Sequence, residues 1–390
     1  MLRFVTAGES HGKCLTGVLE GLPSGLAIDT NFIDSQLHRR QLGYGRGRRM
    51  QIEKDHVEIT SGVRHGRTLG SPISFVVENR DWANWKIAMS PDPLPEGATL
   101  RQVTRPRPGH VDLAGALKQQ THDVRDVLER ASARETAARV AVGSFCRLLL
   151  LQIGIRIGSH VIAIGTAHIS AQLENIGIDG ILAIDPESPL RCADARIQDE
   201  MVALIDKAAG DGDTVGGIAE VVAAPVPPGL GSHTQWDRKL DGRLAQALMS
   251  IPAVKAVEIG NGVAAAQRNG SNVHDEIFYD AEQRRFFRTT NNAGGLEAGV
   301  TNGADLRARI FVKPIPTLRK PLMSVDLVTK EARAALFERS DTCVVPAAGV
   351  VSEAMVGIIL AQAVLEKFGG DSMAELEANF TNYIRLLREF

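Results

Sequence analysis

Gly349 to Phe368 reads GVVSEAMVGIILAQAVLEKF, a helical stretch that is apolar on almost every side. Such a helix has no polar face to turn to water, so a sheet or another subunit must cover it. The wider apolar run, Val344 to Leu365, is interrupted by Ser352, Glu353 and Gln362, which favours a core helix over a membrane span. Gly369 and Gly370 end it, and a more ordinary amphipathic helix closes the chain.

Strands are expected at Val57 to Val63, Ile73 to Glu78, Gly154 to Gly165, Gly217 to Ala224, Val254 to Ile259 and Leu306 to Lys313. They alternate with helices irregularly and show no βαβ rhythm, so the class is α+β with antiparallel sheet. Asp29 or Thr30 caps a helix running to about Leu42, and a long helix is expected from about Val124 to Leu151. The Pro- and Gly-rich segments at Ser90 to Gly97 and Pro225 to Gly231 are too short for linkers, so residues 1–390 read as one domain.

At 390 residues and 44% hydrophobic content the chain can bury a large core. The start, MLRFVTAGESHG, turns polar too early for a secretory signal. Cys14, Cys146, Cys192 and Cys343 lie far apart and form no CxxC pair, so neither zinc nor a disulfide framework is expected, and a reducing cytoplasm fits.

Between Ser35 and Ile52 stand Arg39, Arg40, Arg46, Arg48 and Arg49 among Gly43, Gly45 and Gly47, with no carboxylate in the segment. Guanidinium forks match phosphate and carboxylate oxygens, and glycines allow close backbone approach, so the expected ligand is a compact polyanion. An RNA-binding surface is the alternative class. Only 5% of residues are aromatic and 46 acids balance 44 Lys and Arg, which disfavours base stacking and a broad basic field.

Further constellations surround this one. In TRPRPGH, Pro106 and Pro108 stiffen the backbone around Arg105 and Arg107 and present His110, a proton donor once an anion lies beside Arg107. In TAGESHG, Gly8 and Gly12 predict a turn that brings Ser10 and His11 to one ligand. ERASARETAAR places Arg130 and Arg134 four apart on one expected helical face with Ser132 nearby; periodicity alone favours a helix laced by ion pairs to Glu129 and Glu135. KPIPT and ERSD are weaker signals. The glycine-rich segments lack both P-loop and dinucleotide fingerprints, and no GxSxG elbow exists.

Taken in order, TAGESHG, RRQLGYGRGRRM, SGVRHG, TRPRPGHVDLAGALK, ERASARETAARVA, VEIGNG, NNAGGLEAGVTNG, KPIPT and ERSDTCVVPAAGVV resemble the motifs of the chorismate synthase family. The resemblance implies a helical layer between antiparallel β-sheets, assembled as a homotetramer. It also implies FMN-dependent 1,4-anti elimination of phosphate and a ring hydrogen from 5-enolpyruvylshikimate 3-phosphate, with no nucleic-acid or membrane partner. The flavin is used reduced although no net redox change occurs, because a transient electron can help expel a highly charged leaving group.

By the same resemblance, Arg40, Arg46, Arg49, Arg107 and Arg134 hold the substrate. His11 protonates the leaving phosphate, His110 maintains the flavin's protonation state, and Asp341 works beside the flavin to take the ring hydrogen, with Ser10 and Ser132 in support. FMN contacts fall on Ser132, Ala133, Arg134, Ala253, Ala298, Lys313, Pro314, Ile315, Pro316, Thr317 and Arg339. Arg40 and Arg46 also suit a nicotinamide phosphate if NADPH supplies electrons, and charge alone does not separate the two uses. The chain departs from the pattern at Ala256 and Ala298, where relatives frequently carry Gly.

Overall fold

The structure, a computed structural model, describes residues 1–47, 53–97, 102–338 and 340–390. A small antiparallel sheet runs in the order Arg3–Ala7, Cys14–Glu20, Ile73–Glu78, Glu58–Ser61. A larger one runs Val254–Ile259, Leu306–Val312, Gly217–Ala224, Arg156–Ile164, Ala167–His168, again antiparallel throughout.

Two helices fill the space between the sheets. Thr136–Gln152 packs on the small sheet and Val345–Phe368 on the large one, and the two helices pack on each other. The expected helical layer between antiparallel sheets is therefore present, and a sheet and neighbouring helices cover the apolar helix. It starts four residues before the expected Gly349, because Pro346 in its first turn needs no amide partner. By length and hydropathy it is the one described helix that could cross a membrane, yet 83% of its most apolar window is buried in this core.

Close helix contact depends on Gly143. A Cβ there would lie 2.4 Å from Ala354 Cβ, 2.5 Å from its Cα and 2.7 Å from its carbonyl oxygen. Backbone cannot rotate aside, so Gly143→Ala must push the inner helices apart. Helix propensity favours the variant by about 1 kcal/mol, whereas overpacking a core costs typically ~1–3 kcal/mol and sometimes more. Strain wins, and urea unfolding should show a lower midpoint at unchanged slope; a raised midpoint would contradict this packing account.

The large sheet is buried on both faces. Its outer face carries a cross-strand ladder of polar side chains: His160 stands opposite Glu220, Glu220 opposite Arg309, and Arg309 opposite Glu258. The corresponding contacts are 3.2, 3.0 and 3.7 Å, so each buried charge on this face meets an opposite one.

Several local expectations hold with shifted ends. Asp29 caps Thr30–Gln41 by accepting from the amides of Asn31 and Phe32. The strands expected at 73–78, 217–224 and 254–259 have those bounds, and the other three are shorter than expected. The long helix expected from Val124 to Leu151 is instead two helices, Arg125–Ala131 and Thr136–Gln152. Between them Ser132 is extended (φ −66°, ψ 144°) and its hydroxyl accepts from the Arg134 amide, because serine offers the backbone a local alternative to the helix. Arg130 and Arg134 therefore do not share a helical face. The hairpin Arg3–Ala7 with Cys14–Glu20 and the helices Ala195–Gly210 and Leu240–Met249 were not anticipated.

Candidate active site

The first candidate motif is the hairpin turn between Ala7 and Cys14. Gly8 adopts φ 111°, and a Cβ there would lie 2.4 Å from the Cys14 carbonyl oxygen, so only glycine closes this turn without strain. Ser10 and His11 both sit in it, as expected. The helix residue Glu129 secures them: its carbonyl accepts from the Ser10 amide at 2.9 Å, and its carboxylate accepts from the His11 amide at 2.9 Å. That carboxylate also lies 2.9 and 3.0 Å from His11 Nδ1 and receives Arg125 Nη1 at 2.7 Å. The His11 ring stacks on Trp85, with centroids 3.9 Å apart.

Burial alone would raise the Glu129 carboxyl; hydrogen bonds and charge from His11 and Arg125 outweigh it and hold the group below the usual range. Asn79 bridges from this turn to the arginines. Its amide donates to the Glu9 and Gly12 carbonyls, while its oxygen accepts from Arg134 Nε at 2.7 Å.

Arg134 and Arg40 then share one carboxylate, Asp55, at 2.5 and 2.7 Å. Burial raises Asp55, but the two guanidinium groups prevail and hold it low. Arg40 is lowered chiefly by burial; Asp55 opposes this, and the charges of Arg134 and Arg46 add to it. Arg40 thus lies within electrostatic reach of two of the other four expected substrate arginines, Arg134 and Arg46. Arg40 Nε is buried with no acceptor among the described residues.

Arg46 and Asp341 meet in one ion pair at 3.0 Å, and the Gly47 amide donates to the same carboxylate at 2.6 Å. Arg39, although adjacent to Arg40, points elsewhere and binds Glu353. Arg49 and Arg339 lie outside the described residues, as does Arg48.

The third group forms around Asp112, which is fully buried. It accepts from the Arg107 amide at 3.0 Å, Arg107 Nε at 2.8 Å and Nη2 at 3.1 Å, and it contacts His110 Nδ1. Burial would raise its carboxyl, but hydrogen bonds from His110 and Arg107 hold it far below the usual range. Arg107 Nη1 reaches Thr317 at 3.1 Å, Lys313 Nζ caps the Gly109 carbonyl, and the Lys313 amide bonds the Ala253 carbonyl at 2.9 Å. The Pro-rich loop after Val312 is thereby brought to His110.

This loop also joins the Asp341 segment. Thr214 donates to the Ile315 carbonyl at 2.8 Å, and the neighbouring Val215 amide bonds the Thr342 carbonyl at 3.0 Å. Arg125 makes the remaining link, since it contacts Glu129 at 2.7 Å and Glu338 at 3.2 Å. His11, His110 and Asp341, with Arg40, Arg46, Arg107 and Arg134, belong to one connected set of contacts.

The fold adds context to two of the sequence readings. The arginine segment contains no acid, but folding brings Asp55, Glu53, Asp341 and Asp112 to Arg40, Arg134, Arg46 and Arg107, so these side chains form a largely neutralised network. A bare anion trap would cost too much to bury. Among the described residues, Ala298 is not joined to the arginine groups by hydrogen bond or ion pair. It lies in a two-residue hairpin turn with Gly299, whose carbonyl accepts from Ser232 and Leu240. Its φ of 52° explains why glycine is frequent there, and Ala253 likewise holds φ 69°.

Sequence reasoning overlooked Asp55, Asn79, Trp85 and Asp112, and treated Glu129 only as an ion-pair partner. Asp112 could have been found, since it follows His110 by two residues.

Three comparisons bear on this arrangement. Residues 2–365 match a family model described as chorismate synthase. The chain is 52% identical to a chorismate synthase of Solibacter usitatus, with all of both chains covered. It is 55% identical to one of Desulforudis audaxviator, covering 100% of this chain and 98% of that one. A crystal structure titled as that of chorismate synthase superposes with TM-score 0.81 at 43% identity, covering 100% and 99% of the two chains.

Proposed function

The chain belongs to the chorismate synthase family, and from that premise we infer that it converts 5-enolpyruvylshikimate 3-phosphate to chorismate and phosphate, the last step of the shikimate pathway. The observation carrying this reading is the connected set of arginines, two imidazoles and Asp341. A trianion with one phosphate and two carboxylates is a chemical match for Arg40, Arg46, Arg107 and Arg134.

The donor set also suits FMN. Buried Arg40 Nε lacks an acceptor that a ligand oxyanion would supply. Lys313 contacts a carbonyl, and among the described residues no carboxylate pairs with it, which leaves its charge for a phosphate monoester. Ser132, Ala133, Arg134, Ala253 and Lys313 to Thr317 would hold the flavin; Ala298 has weaker support from this chain alone. The chemistry reduced FMN supplies when bound is a transient electron for expelling phosphate.

The protein's own groups do the rest. The arginines orient the anion and stabilise charge gathering on the departing phosphate. His11 donates a proton to it, and His110 holds the proton balance beside the cofactor. Asp341, held in place by Arg46 and the Gly47 amide, is the acceptor on the ring-hydrogen side. Homotetramer assembly is supported by exposed Ile277, Phe278, Tyr279, Phe286 and Phe287 on one hairpin, an apolar surface that subunit contact would cover.

Anaerobic incubation of the protein with chemically reduced FMN and the enolpyruvyl substrate is expected to yield chorismate. Folded protein that forms none would reject the reading. Replacing the chemical reductant by NADPH and following flavin absorbance tells whether the chain reduces its own cofactor, through Arg40 and Arg46, or needs a separate reductase.

A further inference from the structure

Both imidazoles of the site are backed by a buried carboxylate on the same ring nitrogen. Glu129 is 2% exposed and Asp112 is fully buried, and both are held ionised by the donors around them. An ionised carboxylate can only accept hydrogen bonds. On Glu129, Oε1 is engaged by Arg125 Nη1 and Oε2 by the His11 amide, groups that can only donate. His11 Nδ1 lies 2.9 and 3.0 Å from these two oxygens, so Nδ1 must carry a proton whatever the charge of the ring.

Asp112 repeats the pattern. Three donors of Arg107 occupy its oxygens, and His110 Nδ1 adds a fourth hydrogen bond. Arg107 Nη2 stands 3.2 Å from Nδ1 and 3.5 Å from Nε2 of His110, and with Nδ1 protonated only Nε2 can accept from it.

We propose that Glu129 and Asp112 are positioning residues that fix His11 and His110 as Nδ1–H tautomers, making Nε2 of each ring the atom that exchanges protons during the reaction. Glu129 has a second task, since its carbonyl also holds the Ser10 amide. One helix residue therefore sets the orientation of two neighbouring catalytic side chains. The proton inventory balances: His11 Nε2–H passes its proton to the departing phosphate, and the neutral ring left behind keeps Nδ1–H on Glu129. The same order applies at His110, where Asp112 retains Nδ1–H while Nε2 gains or loses a proton.

This proposal rests on the functional reading above, so its test includes a measurement that needs no turnover. In the full chain labelled with 15N-histidine and free of ligand, ring-nitrogen shifts at alkaline pH should assign the neutral His11 and His110 as Nδ1–H, with His11→Asn and His110→Asn identifying the signals. Finding either as Nε2–H overturns the proposal without any carboxylate variant. Glu129→Gln and Asp112→Asn should each release their partner ring toward the Nε2–H form. Each should also lower kcat by about 10²–10⁴-fold while KM changes only a few-fold, the pattern of a wrongly protonated general acid. Glu129→Asp, which keeps the charge, should recover part of kcat and keep the Nδ1–H signal. Loss of kcat with an unmoved tautomer would overturn the assignment and leave only a structural role. If the native protein forms no chorismate at all, the functional reading fails while the tautomer result stands or falls separately.

Discussion

Glu353→Gln is expected to destabilise the fold by about 3–5 kcal/mol, the usual cost of breaking a buried ion pair from one side. Glu353 is fully buried on the helix Val345–Phe368. It accepts from both Arg39 Nη atoms at 2.7 Å, from Arg147 at 2.8 Å and from Ser159 at 2.6 Å, with Arg191 at 3.9 Å. These partners come from the helix Thr30–Gln41, the helix Thr136–Gln152, the strand Arg156–Ile164 and the loop before Ala195, so one carboxylate joins four segments.

Glutamine would leave three guanidinium groups facing one another in low dielectric. Burial, with repulsion from Arg39 and Arg147, already pulls Arg191 down to about 10 despite Glu353. The pH sign follows from Glu353 itself: burial opposes its charge, but the arginines hold its carboxyl far below the usual range. Its stabilisation is thus complete above the unfolded-state value near 4.5 and is lost as pH falls toward the folded value. Chemical unfolding at pH 7 should show the loss, and the variant's stability should depend less on pH below about 5. A loss under about 1 kcal/mol, or an unchanged acid limb, would mean that other groups neutralise this cluster.

His110→Ala should lower turnover by roughly 10²–10⁴-fold, the usual contribution of a positioned general acid or base. Substrate affinity should change little, for a structural reason. The pair between Arg107 and Asp112 uses three hydrogen bonds that do not involve His110, so the Arg107 guanidinium proposed to bind substrate stays in place when the imidazole is removed. Steady-state kinetics combined with direct substrate binding to the oxidised-flavin form separates the two effects. Equal losses in kcat and affinity would assign His110 to binding.

Much of the fold was legible in local pattern. A helix apolar on every side must be enclosed, and among the strands legible in the sequence those at 156–164, 217–224 and 306–312 pack on it. The break at Ser132 was less visible, since Ala, Arg and Glu on both sides are good helix formers and a single serine hydroxyl settles the matter. The strand Arg3–Ala7 was missed because RFVTA does not alternate polar and apolar residue types, although its exposure does alternate at this sheet edge.

The site divides in the same way. Residue types and spacing were enough to identify the polyanion chemistry, the turn holding Ser10 and His11, and the stiff run that presents His110, because each depends on neighbours within a few positions. Partner choice was not readable along the chain. Asp55 joins Arg134 from 79 positions away, Glu129 joins His11 from 118, and Glu353 joins Arg39 from 314. Adjacent Arg39 and Arg40 diverge because consecutive helix residues point about 100° apart, and charge pairing in a buried interior depends on distance through space, which folding alone establishes.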